Sequence, residues 1–133
     1  MERCRQTDGV KFGVSPRQRL RFVPYDELAG EPNVIVDGSA TDGTVLTLSH
    51  WPGTPVPAGF EFDLSIQMAL AYLDHWDQHG SAEAVSNNHF DQDGLTSAFV
   101  LTDPDGAAVR RRFLADVGAA RSSSTRCRRS TWL

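Results

Sequence analysis

Asn87-Asn88-His89-Phe90-Asp91-Gln92-Asp93-Gly94-Leu95-Thr96-Ser97 lies between two apolar runs. The run before it, Ala82 to Ser86, reads as a strand, and the run after it, Leu95 to Leu101, reads as a helix. An imidazole and two carboxylates at alternate positions, then a glycine, therefore stand at a strand-to-helix turn. Donor atoms held this close repel one another unless a cation joins them. The stretch predicts a divalent-metal site, and it predicts the kind of fold in which strand ends carry chemistry.

Working outward, Asn33-Val34-Ile35-Val36-Asp37 is a short apolar run closed by Asp37-Gly38, the pattern of a buried strand. Thr44 to Ser49 reads as a second strand ending at His50-Trp51-Pro52-Gly53. Three prolines and two glycines make Pro52 to Gly59 a loop. Asp63 or Ser65 then caps a helix whose apolar face is Leu64, Met68, Ala71 and Tyr72, fading near His75 to Gly80. Pro104 opens a third helix running to about Val117. Strand, strand, helix, strand, helix, helix predicts an α/β fold: a small, mostly parallel sheet with flanking helices, either whole or an incomplete domain. Ligands of such sheets bind beyond the carboxyl ends of the strands. Asp37, His50 and the His89-Asp91-Asp93 group each follow a predicted strand, so parallel strands would gather them at one edge. A hairpin between the first two strands, whose link is short, would separate Asp37 from His50.

The charge is segregated. Residues 1–21 carry six cations and two anions, and residues 22–109 carry fourteen carboxylates with no Lys or Arg. Residues 110–133 carry seven Arg and one Asp. The acidic block is a poor partner for nucleic acid, because phosphate contacts need Lys or Arg. A bound metal would reverse that locally. Residues 1–21 read as an irregular basic lead-in, 22–117 as the α/β domain, and 118–133 as a disordered Arg/Ser-rich tail. With only Lys11 against twelve Arg, that tail also fits out-of-frame translation of a shortened chain. Cys4 and Cys127 show no ligand spacing. No secretory h-region or membrane span is visible, so a cytoplasmic setting is expected. Nothing fixes the oligomeric state.

The motif misses the pattern of an EF-hand loop. Such a loop needs a Glu at position twelve, where this chain has Val100, and an acid at position one, where it has His89. Asp91, Asp93, Gly94, Thr96 and Ser97 instead match the Asp-x-Asp-Gly-x-Thr-Ser end of a known pattern. This is the first metal motif of the DHH phosphoesterase family, specifically its RecJ-like members. His89 stands where that motif has a further Asp. The resemblance covers about a dozen residues and lacks the family's Asp-His-His triplet and its C-terminal domain. It implies a Mn²⁺-dependent (or Mg²⁺-dependent) two-metal hydrolase acting on a nucleotide or another small phosphoester. In that reading His89, Asp91 and Asp93 are metal ligands, with Asp93 bridging; Asp37, from its place after the first strand, is either a further ligand or an Asx turn closing that strand. Asp93 is a catalytic group and Gly94, Thr96 and Ser97 contact the phosphorylated ligand; His50, from its own strand end, is a metal ligand, a catalytic base or a packed histidine, and Asn88 holds substrate, tunes the metal shell or closes the turn. Residues 22–117 also resemble a bacterial family without an established activity, through Ser49-His50-Trp51-Pro52-Gly53-Thr54 and Val85 to Gly94.

Other residues have plainer readings. Met68, Tyr72 and Leu73 are core, Trp51 and Trp76 pack, and His75 and His79 sit at a solvated helix end. The alternative function is a non-catalytic interaction domain in which the acidic loop organises a turn and the Arg-rich ends engage a partner.

Overall fold

A computed structural model of the chain describes residues 17–75 and 80–120. Residues 1–16, 76–79 and 121–133 lie outside it, and with them Cys4, Cys127, Trp76, His79 and the bulk of the basic lead-in and tail. Among the described residues four strands form one sheet in the order β1-β4-β2-β3. They are β1 (Arg21–Phe22), β2 (Asn33–Val36), β3 (Thr44–Leu48) and β4 (Ala84–Ser86). Every pairing is parallel, as expected of an α/β domain. The helices are α1 (Ser65–Tyr72), α2 (Gln92–Thr102), α3 (Pro104–Ala108) and α4, residues 111–120.

β2 is central and buried along its whole length, which is why its sequence is a continuous apolar run rather than an alternation. Val34, Val36, Leu46, Leu48 and Val85 face α1 and α2 and form the main core with Ile66, Met68, Tyr72, Val100 and Leu101. On the opposite face Ile35 and Ala84 meet Val23, Leu28 and Tyr25 from the segment around a 3₁₀ turn at Tyr25–Glu27. The only polar residue of β2 to be buried, Asn33, donates to the Glu31 and Asp42 carbonyls and accepts from Thr44 Oγ1.

β2 and β3 are parallel neighbours although only residues 37–43 join them. Parallel strands usually need a crossover of a dozen or more residues. Seven extended residues reach about 23 Å, and a four-residue strand is about 13 Å long, so a bare loop can return the chain. Asp37 starts that return in a left-handed conformation, φ +48°. The hairpin alternative is thereby excluded, and Asp37 and His50 stand at the same edge.

Several boundaries differ from those read in the sequence. The lead-in contributes β1, and Leu20 is buried with its N–H on the Leu101 carbonyl. Flanking arginines pair with the acidic block: Arg19 with Asp103, Arg21 with Glu31, Arg111 with Asp74. The third helix is broken at residues 109–110 into α3 and α4. Residues 118–120, expected in the tail, belong to α4. There a Cβ on Gly118 would lie 2.6 Å from Ile66 Cγ2 and 2.9 Å from Thr96 Oγ1, so glycine lets α4 approach α1 and α2. No helix among the described residues is long and apolar enough to cross a membrane.

Candidate metal centre

Because β2, β3 and β4 run in one direction, the residues that leave their carboxyl ends meet. Asp37 follows β2, His50 follows β3, and His89 and Asp91 follow β4. Two groups of potential ligands result, Asp37-His50-Asp93 and Asp37-His89-Asp91, with Asp37 common to both.

The two groups are chemically different. In the first, Asp93 Oδ2 accepts the Ser65 N–H at 3.0 Å and Oδ1 accepts the Ile66 N–H at 2.7 Å. Asp93 therefore caps α1 from another helix. Neither Asp63 nor Ser65 is the cap, as their positions had implied. The residue at the cap position, Leu64, has no side chain able to accept, and α1 would otherwise begin with buried, orphaned donors. Ser65 Oγ donates to Asp37 Oδ1 at 2.9 Å and also lies 2.9 Å from His50 Nδ1. His50 Nδ1 is 3.5 Å from Asp37 Oδ1 and 3.6 Å from Asp93 Oδ2. This group is a closed hydrogen-bonded network.

The second group is open. His89 Nε2 hydrogen-bonds Asp91 Oδ2 at 3.0 Å and lies 3.1 Å from Asp37 Oδ2. It meets Asp91 in hydrogen-bonding geometry and Asp37 only in distance, so Asp37 Oδ2 is buried without a hydrogen bond. Asp37 is 1 % exposed. An unpaired buried carboxylate oxygen is costly, and it points at an imidazole and a second carboxylate. That donor set, two carboxylates and an imidazole, is one that could hold a divalent cation. Asn88 Oδ1, 3.2 Å from His89 Nδ1, and the Trp51 ring, 5.0 Å from the His89 ring, fix the imidazole from outside.

The electrostatics follow from this packing. Burial pushes the Asp37 carboxyl up to about 7, and the charges of Asp93 and Asp91 act in the same direction against the Ser65 hydrogen bond and His89. Burial also raises Asp93, against the Ile66 and Ser65 N–H donors. For Asp91 burial is outweighed by the Gly94 N–H and by His89, which hold it below the ordinary carboxylate range.

The motif residues divide accordingly. Asp91 is the N-cap of α2, its Oδ1 accepting the Gly94 N–H at 2.8 Å, so the helix starts at Gln92 and Asp93 sits in its first turn. A Cβ on Gly94 would collide with Asn87 Nδ2 and lie 3.2 Å from Asp37 Oδ2, so glycine here lets the Asn87 amide and the Asp37 carboxylate pack against the first turn of α2. Asn87 Nδ2 donates to the His89 carbonyl. Thr96 and Ser97 stand apart: their hydroxyls donate to the Gln92 and Asp93 carbonyls within α2, at 2.8 and 2.6 Å. They shape the helix rather than offer donors to a ligand. His75 packs edge-on to Phe60. Ser65 was read in the sequence only as a cap. Its contact with Asp37 and His50 depends on tertiary packing that no spacing announces.

The molecule is thus a small parallel α/β domain with an acid–imidazole cluster at the carboxyl edge of its sheet. The chain belongs to the family of unknown function DUF6687, whose model matches residues 18–121. No curated protein and no solved structure matches it.

Proposed function

We propose that this chain is a divalent-metal-binding domain of phosphoesterase type, acting on a nucleotide or another small phosphoester. Asp37, His89 and Asp91 would hold one Mn²⁺ ion. The observation that carries the reading is the buried, unpartnered Asp37 Oδ2 facing the His89 and Asp91 ligand atoms. The motif's resemblance to the first metal motif of DHH phosphoesterases supports the same reaction class. A divalent ion at this place would neutralise phosphate oxygens and acidify a water molecule.

The chain's own residues then divide the work. Asp93 is given to the α1 N-terminus, so it serves the site by position and not as a bridging ligand. His50 is exposed at the rim of the cluster and would take a proton from the attacking water.

Calorimetry with MnCl₂ tests the proposal. Wild-type protein should bind one Mn²⁺ per chain at micromolar concentration. Asp91→Ala should remove the heat of binding, while Thr96→Ala should keep it. Equal, weak binding by wild type and Asp91→Ala would end the proposal.

A further inference from the structure

Beside the cation-holding trio runs a second polar chain, Asp37–Ser65–His50, whose middle member is outside the sequence motif. Ser65 is fully buried at the first turn of α1. Its hydroxyl carries one proton, given to Asp37 Oδ1 at 2.9 Å, and above about pH 7, where Asp37 is ionised, that carboxylate can only accept. The two lone pairs of Ser65 Oγ then face the His50 backbone N–H at 3.2 Å and His50 Nδ1 at 2.9 Å. The other oxygens nearest Nδ1 are Asp37 Oδ1 and Asp93 Oδ2, at 3.5 and 3.6 Å. All three are acceptors toward the ring. Nδ1 must therefore carry the proton, and a neutral imidazole has only one.

We infer that Ser65 is a positioning residue that holds His50 in the Nδ1–H tautomer, leaving the Nε2 lone pair on the side of the ring away from the buried carboxylates. His50 is then a proton acceptor and is closed to a cation at Nδ1. The two imidazoles thus differ in role, since His89 turns a ring nitrogen into the carboxylate pair and His50 turns its lone pair out. The base role rests on the phosphoester reading; the tautomer does not.

Two-bond ¹⁵N–¹H correlation spectra of the ¹⁵N-labelled full chain in mildly alkaline, metal-free buffer test this, with the His50 signals assigned by their loss in His50→Gln. The expected wild-type pattern is a protonated-type Nδ1 and an unprotonated-type Nε2. Ser65→Ala should shift the proton toward Nε2, and Ser65→Thr, which keeps the hydroxyl, should restore the wild-type pattern. With Mn²⁺ and bis-p-nitrophenyl phosphate, Ser65→Ala should lower kcat about 10- to 100-fold, in the range for groups that orient a working histidine. A wild-type His50 protonated on Nε2, or a Ser65→Ala spectrum identical to wild type, overturns the inference. An inactive wild type that still shows the Nδ1–H pattern would sink the hydrolase reading and support the positioning role.

Discussion

Replacing Asp37 by Asn should make the metal-free protein more stable at alkaline pH while abolishing its metal binding. The Asp37 carboxyl rises from 3.8 to about 7 on folding. The fold thus favours the protonated form. Its contribution is complete below about pH 4 and is lost as pH rises through 7. At about 1.4 kcal/mol per pH unit, holding Asp37 ionised costs the fold up to about 4 kcal/mol. Asn carries no such charge, tolerates the left-handed backbone at this position, and can point an amide donor where the unpaired oxygen stood. Urea unfolding in EDTA reads the difference. With a slope of about 2 kcal/mol/M, the Asp37→Asn midpoint should exceed wild type by up to about 2 M at pH 8.5. The gap between the midpoints should narrow to about 0.5 M at pH 4.5. Asp93, Asp91 and the histidines titrate in both proteins and largely cancel in the comparison. A variant no more stable than wild type at pH 8.5 would refute the claim that burial makes the ionised form of Asp37 costly to the fold.

Three further outcomes follow from the same geometry. Mn²⁺ at 100 times its Kd should stabilise wild type by about 2.7 kcal/mol, raise Tm in scanning calorimetry at pH 8, and do much less at pH 5, where protons compete for Asp37; His89→Ala should show no Mn²⁺ effect at either pH. Asp93→Ala strips two buried N–H groups of their acceptor and should cost about 2–4 kcal/mol, seen in urea unfolding, whereas Asp63→Ala should be within about 0.5 kcal/mol of wild type because that side chain is exposed. Gly118→Ala should destabilise by about 1–3 kcal/mol through overpacking against Ile66, although helix propensity alone favours Ala by up to about 1 kcal/mol.

β2, β3 and β4 were legible because each is an apolar run closed by turn residues and followed by groups that meet at a common edge. β1 escaped notice because two residues carry no periodicity, and Phe22 is half exposed there. The direction of β3 stayed open because residues 37–43 suit a hairpin by length; the left-handed Asp37 that turns them into a crossover is a three-dimensional fact. At the site, Asp37, His89 and Asp91 converge as their strand-end positions implied. Asp93 matched the motif by spacing, yet its carboxylate is claimed by backbone donors on α1, and spacing within one segment cannot reveal a partner 28 residues away. Thr96 and Ser97 illustrate the same limit, since a hydroxyl inside a helix readily bonds the carbonyl four residues back.

The Asp93 clasp on α1 also interlocks events that are otherwise independent. If α1 and α2 part, the Ser65 and Ile66 amides lose their shared acceptor and become free to exchange with solvent, while Ser65 lets go of Asp37 and His50 in the same motion. Hydrogen exchange at those two amides would therefore gauge the integrity of the acid–imidazole edge. The Asp37–Ser65–His50 network cannot exist as a local turn in a partly folded chain; it needs α1 docked on α2, and a mutation at their distant contact would loosen it without touching Asp37, His89 or Asp91.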